Sequence, residues 1–114
     1  NIGYKDSILT LYLDGRLLVR GKEVILLQEK YHLLSTMMYK PNYEWYMSEL
    51  ISEVWGNRCS KSNVISFMHN IRKIIEEDPR KSKIILTSSI PGRAYSFHPQ
   101  GEVQVNRYSS NISR

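Results

Sequence analysis

The spacing of hydrophobic positions changes along the chain. Up to residue 27 they fall in short apolar runs: Ser7 to Leu13 (SILTLYL), Arg16 to Arg20 (RLLVR) and Glu23 to Leu27 (EVILL). Runs of this length bounded by turn residues predict strands. Asp14-Gly15, between the first two, is a strong two-residue hairpin signal. Gly21-Lys22 marks a second turn. The three runs together predict a small antiparallel sheet.

From Leu27 the spacing becomes helical. Leu27, Tyr31, Leu34 and Met38 recur at i, i+4, i+7 and i+11. The helix they predict stops before Lys40-Pro41, because proline disfavours helical backbone at the residue before it. Pro41 to Tyr46 reads as a connector with a short extended piece around Tyr43 to Tyr46. Ser48 to Trp55 predicts a second helix, with Leu50, Ile51, Val54 and Trp55 turned inward and Gly56 as its C-terminal cap. A third helix begins at Ser60 or Ser62, either of which can cap it. Val64, Met68, Ile71 and Ile75 form its stripe, flanked by Phe67 and Ile74, and Asp78-Pro79 closes it. KIILTSS from Lys83 and AYSF from Ala94 predict two strands around the turn Ile90-Pro91-Gly92-Arg93. The tail from His98 to Arg114 is polar and reads as linker or frayed end, with Glu102 to Val105 as a candidate edge strand. The order of three strands, three helices and a hairpin is an α+β arrangement, with neither an internal repeat nor a low-complexity tract.

A length of 114 residues suits one domain, set here at residues 1–98 with a polar tail or linker at 99–114. No apolar run approaches the roughly 18–20 residues that span a bilayer. The chain opens on Asn1 with no basic-then-apolar leader, so we expect an excised piece without a signal peptide. Cys59 is the sole cysteine, which excludes an intrachain disulfide and reads as a reduced bystander. His32, His69 and His98 lack ligand spacing, so no metal is expected. There is no glycine loop to cradle a phosphate, no paired acids in an apolar setting and no nucleophile beside a base, so neither catalysis nor a cofactor is expected. Asn111-Ile112-Ser113 fits a glycosylation sequon and reads as chance.

Charge sharpens the picture. The net charge is +5, yet residues 1–57 carry −1, residues 58–97 carry +5 and residues 98–114 carry +1. A cationic excess gathered in one stretch is the footprint of a polyanion-binding surface. That stretch contains the third helix and the hairpin. At about 100° per residue, Asn63, Ser66, Asn70 and Lys73 share the sector opposite the apolar stripe, with Ser62 and His69 at its edge. A helix face that meets only water usually mixes Lys and Glu. This one offers short hydrogen-bonding side chains instead. Arg58 and Lys61 sit at its start and Glu76, Glu77 and Asp78 at its end, against the preference of the helix dipole. That charge order suits an N-terminal half entering a polyanion groove with the acidic end pointing away. Asn can read adenine bidentately, and Ser can bond several bases. Against this stand a solvated face with no partner and a protein-docking face.

These residues also carry a family likeness. The segment from Ser7 to Phe97 resembles the winged-helix effector domain of OmpR/PhoB-type bacterial transcription regulators. VILLQEKYHLL is similar to the family's strand-into-helix segment, and SELISEVWG to its second helix with a Val-Trp-Gly ending. NVISFMHNIRKIIEEDP is similar to its recognition helix, and IILTSSIPGRAYSF to its last hairpin. The chain departs from the usual pattern at Gln28 in the helix 1 cap, at Tyr46-Met47 where helix 2 starts, and at Ala94 before the hairpin tyrosine. The resemblance implies a winged helix-turn-helix with an N-terminal antiparallel sheet, three helices and a C-terminal β-hairpin wing. The recognition helix, at about 60–77, would enter the major groove, and the wing, at about 88–95, would meet the minor groove.

The resemblance also implies roles. Asn63, Ser66 and Asn70 match base-reading positions, with Lys61 and Lys73 supplying charge on the same helix. Trp55, Ser62, His69, Arg72, Thr87 and Tyr95 match backbone contacts, and Arg93 matches the wing's minor-groove cation. Double-stranded promoter DNA is the implied partner, with RNA polymerase and a second copy or hetero-partner on DNA as further ones. The recognition helix is closest to ToxR-like one-component regulators. That likeness implies a cytoplasmic domain whose full-length protein is anchored in the inner membrane by a later helix, so a membrane enters only through a segment outside this chain.

Overall fold

A computed structural model describes residues 1–106, and its first layer is an antiparallel sheet ordered β4-β3-β2-β1-β8. Its strands are β1 (Ile2–Lys5), β2 (Leu9–Tyr12), β3 (Arg16–Val19) and β4 (Lys22–Ile25), with β8 (Gln104–Val105) returning from the far end of the chain. Asp14-Gly15 links β2 to β3 in the expected hairpin. Leu9 sits opposite Val19 and Leu11 opposite Leu17, all four buried. The second turn falls at Arg20-Gly21 rather than Gly21-Lys22, because Lys22 already pairs with Val19. Both turn residues take positive φ, 51° and 84°, as a tight turn between twisted strands requires.

Strand β1 is missing from the hydrophobic pattern. Its four residues, IGYK, include a glycine and show no run of their own. The strand exists through its neighbours, β2 and β8, and through Asp6. The buried Asp6 carboxylate accepts the N–H groups of Ile8 and Leu9 at 2.8 Å each, the Tyr4 hydroxyl at 2.8 Å and the Gln100 N–H at 3.1 Å. Burial, reinforced by that hydrogen bond, pushes the Tyr4 phenol far above its ordinary range. Tyr4 also meets Phe97 edge-on, with centroids 5.4 Å apart. Ser7 N–H donates to the Gln100 carbonyl at 2.9 Å, so the polar stretch from His98 is seated on the sheet as far as β8. The far tail, with its linker reading and the sequon at Asn111, lies outside the described residues.

Helix α1 spans Gln28–Met38. Its N-cap is Leu27, not Gln28, and Leu27 stands exposed rather than heading the apolar stripe. Leu33, Leu34, Met37 and Met38 are the buried set. After β5 (Trp45–Tyr46), helix α2 runs Met47–Trp55. Glu49 accepts the Tyr46 N–H at 2.8 Å and the Tyr43 hydroxyl at 2.6 Å, fixing the helix entry. Gly56 ends the helix at φ 57°, the left-handed geometry that glycine adopts most cheaply. Leu50 is buried, while Ile51, Val54 and Trp55 are half-buried.

Helix α3 spans Lys61–Ile75. Of the two candidate caps, Ser60 performs the role, accepting the Asn63 N–H at 3.2 Å. Val64, Met68, Ile71 and Ile75 are fully buried, as their spacing requires. Truncating such a side chain to alanine costs about 2–5 kcal/mol. The helix stops at Ile75, short of Asp78-Pro79, because Glu76 turns into the interior. Its carboxylate accepts the N–H groups of Lys83 at 2.9 Å, Ile84 at 3.0 Å and Ile85 at 2.8 Å. Arg20 also donates to the Ile75 carbonyl at 3.2 Å, satisfying one of the carbonyls a helix end leaves open. The acidic end of α3 therefore does not point wholly away from the body: Glu76 is buried, and Glu77 alone of its three acids is fully exposed.

Strands β6 (Ile85–Thr87) and β7 (Arg93–Phe97) form the hairpin, in a second sheet ordered β5-β7-β6. Its turn closes through Arg93 N–H to the Ile90 carbonyl at 3.1 Å. Pro91 presets the first corner and Gly92, at φ 86°, takes the second.

Candidate nucleic-acid interface

Burying the α3 stripe turns its opposite face outward. Lys61, Ser62, Asn63, Ser66, His69, Asn70 and Lys73 are all exposed. The side chains of Asn63, Ser66, His69, Asn70 and Lys73 make no hydrogen bond, ion pair or ring contact among the described residues. Ser62 is the exception, with its Oγ 3.1 Å from that of Ser60. Lys61 and Arg58 likewise have no acidic partner among the described residues. The face thus combines unfilled donors and acceptors with uncompensated positive charge at the helix N-terminus, where the helix dipole adds to it.

On one flank lies the hairpin. Arg72 donates from Nε and Nη2 to the Ile85 carbonyl at 3.2 and 2.9 Å, and from Nη2 to Thr87 Oγ1 at 2.8 Å. Its guanidinium lies 5.3 Å from the Tyr95 ring centroid. Tyr95 is buried, and burial pushes its phenol up, opposed by the neighbouring Arg72 charge. Thr87 is exposed. Between α3 and the hairpin runs a shallow depression lined by Lys61, Ile65, Thr87, Arg93, Ala94 and Tyr95. Lys61 and Ile65 of α3 and Thr87 of the hairpin therefore line one depression, beside the outward polar row.

Two candidates sit differently from the rest. Arg93 is folded back: Nη1 donates to the Glu44 carbonyl at 2.5 Å, and the guanidinium lies 3.9 Å over the Tyr46 ring. Trp55 lies on the opposite flank, stacked on Phe67 at 5.5 Å, with its indole N–H donated to Glu29 at 3.0 Å. Cys59, nearby, is half-buried. Burial and then Glu29 push its thiol above the ordinary value, away from the reactive thiolate.

Sequence reading overlooked Glu29, Glu44, Tyr46 and Ile65. Glu29 is 26 positions from Trp55, and no local pattern links them. Ile65 did carry a signal. It lies off the i, i+4, i+7 stripe, and it is 52% exposed on the groove side of α3.

Three helices with a β-hairpin beside the third, closed by an N-terminal antiparallel sheet, define a winged helix-turn-helix. The chain belongs to the family described as "Transcriptional regulatory protein, C terminal", whose model matches residues 21–97. A probable transcriptional regulatory protein of Picosynechococcus is 32% identical over 86 residues, covering 74% of this chain and 34% of its own length. The response regulator DrrB of Thermotoga maritima, an OmpR/PhoB homologue, superposes with a TM-score of 0.73 at 26% identity, over 84% of this chain and 44% of its own. The DNA-binding domain of Escherichia coli CadC superposes at 0.75 and 17% identity, over 93% of this chain and 98% of its own. The chain thus spans about a third of the Picosynechococcus relative and under half of DrrB. Among the described residues no helix is long and apolar enough to cross a membrane.

Proposed function

We propose that this chain is the effector domain of a bacterial transcription regulator and binds double-stranded promoter DNA with sequence specificity. In this reading α3 lies in the major groove and reads bases through Asn63, Ser66 and Asn70. Lys61, Ser62, His69, Lys73 and Thr87 face phosphates and set the register. Trp55, Arg72 and Tyr95 border the same surface. Arg93 serves the adjacent minor groove by leaving the Tyr46 ring and the Glu44 carbonyl. Two copies on neighbouring half-sites and RNA polymerase complete the assembly. The sequence likeness of α3 to ToxR-like regulators is what favours, in this reading, a cytoplasmic domain of a protein anchored in the membrane by a helix beyond this chain. The complete reading frame tests that last point, and a receiver domain upstream overturns it.

The observation that carries the reading is the outward row of unpartnered polar side chains beside unpaired cations. Salt titration of the chain with duplex DNA tests it. Binding through several phosphates gives a log–log slope of about −0.9 per phosphate neutralised. A chain that ignores duplexes in dilute buffer yet captures a protein partner would be a docking module instead.

A further inference from the structure

Arg72 and Thr87 are both on the proposed DNA face, but only one of them is free to meet a phosphate. The Arg72 guanidinium is half-buried and committed: two N–H groups go to the Ile85 carbonyl, and Nη2 also donates to Thr87 Oγ1 at 2.8 Å. It also lies over the Tyr95 ring, 5.3 Å from the centroid. A guanidinium only donates, so at this contact Thr87 must accept. A threonine hydroxyl has one proton and two lone pairs. With a lone pair engaged by Arg72, the proton points elsewhere. Among the described residues nothing accepts it, and Thr87 is exposed on the same depression as Lys61. A phosphate oxygen is an acceptor, which is the partner this proton lacks.

We propose that Arg72 is a positioning residue that acts through Thr87: it holds the hydroxyl as an outward donor to a DNA phosphate at the base of the hairpin while its own charge stays with the sheet. The donation from a cation also polarises the hydroxyl, making it the stronger donor. This inference rests on the DNA-binding reading above.

The test uses the full chain and a duplex selected by it from a randomised library, followed by fluorescence anisotropy across a salt series. Thr87→Val removes the proton at constant shape and weakens binding about tenfold, the scale of a hydrogen bond to a charged group. Thr87→Ser restores it to within about twofold, since the same hydroxyl remains. Arg72→Met weakens binding to a similar degree, and the double variant is no weaker than either single one, because both remove the same contact. The salt slope stays constant throughout, since no phosphate loses a cation. A slope reduced by about 0.9 in Arg72→Met, with Thr87→Val binding normally, overturns the inference in favour of a direct Arg72 contact. If Arg72→Met does not fold, the Thr87 pair decides alone, and normal binding by Thr87→Val overturns it. Failure of the unaltered chain to select any duplex counts against the DNA-binding reading itself.

Discussion

Trp55 donates its indole N–H to Oε2 of Glu29 across 3.0 Å, tying the last turn of α2 to the first turn of α1. The same indole stacks on Phe67 of α3, so one side chain touches all three helices. An acidic group therefore holds the N–H that the family likeness assigns to a phosphate. Under the proposed DNA-binding reading, Glu29 competes with a phosphate for that N–H.

Neutralising that rival should help binding. Glu29→Gln is expected to tighten duplex binding by about two- to fivefold in dilute buffer, in keeping with about 0.5–1 kcal/mol for an exposed charge pair. The gain should shrink as salt is raised, because exposed charges are screened. Anisotropy titrations measure both. Unchanged or weaker binding would mean that Glu29 supports the interface rather than competing with it.

The proposed base reading by α3 makes a different prediction. Asn70 is exposed with no protein partner among the described residues, so Asn70→Ala leaves the fold intact. It should relax sequence preference at one base pair, at a cost of about 1–3 kcal/mol on the preferred duplex. Competition between single-substitution duplexes reads this out. Equal losses on every sequence would assign Asn70 to the backbone.

Stability should hinge on Glu76. Its carboxylate fills three backbone donors at the start of β6. Glu76→Ala strands those N–H groups in a buried site and is expected to cost about 3 kcal/mol, since each unsatisfied donor carries a desolvation penalty. Urea unfolding would register it as a lower midpoint. A loss below about 0.5 kcal/mol, the usual effect of a surface substitution, would mean that water replaces the carboxylate.

The entry to α2 predicts a pH dependence. The hydrogen bond from Tyr43, then the Tyr46 N–H, hold the Glu49 carboxyl below its ordinary range. A depressed folded-state value stabilises the fold above the unfolded value and is lost as pH falls through the folded one. Glu49→Gln should therefore lower the melting temperature at neutral pH. The gap to the unaltered chain should close as pH falls from the ordinary glutamate range through the depressed one. A gap that persists at low pH would point to shape rather than charge.

Legibility differed sharply between elements. The α3 stripe, the Gly56 stop and the Ile90–Arg93 turn were readable because each is decided within a few residues, whereas the α3 cap was narrowed only to Ser60 or Ser62 until the structure selected Ser60. Leu27 misled because an apolar residue at a helix start satisfies the period whether it is buried or is the N-cap. The α3 stop misled because Asp78-Pro79 is a strong breaker, while Glu76 left the helix earlier to meet β6. The outward polar row was readable as the complement of the stripe. The state of its neighbours was not: Arg93 folded onto Tyr46 and Trp55 bound to Glu29 depend on partners far along the chain.

By itself the amino-acid order determined the α+β succession of elements, which side of α3 faces inward and where positive charge collects. Those properties follow from backbone periodicity and local turn chemistry, which act over one or two turns. Tertiary structure alone decided that Ile2–Lys5 is a strand, that the candidate edge strand at Gln104–Val105 pairs with it, and which polar side chains remain free for a partner. A short strand and a polar side chain both take their partners from whatever packing brings within about 3 Å, and no local period encodes that distance.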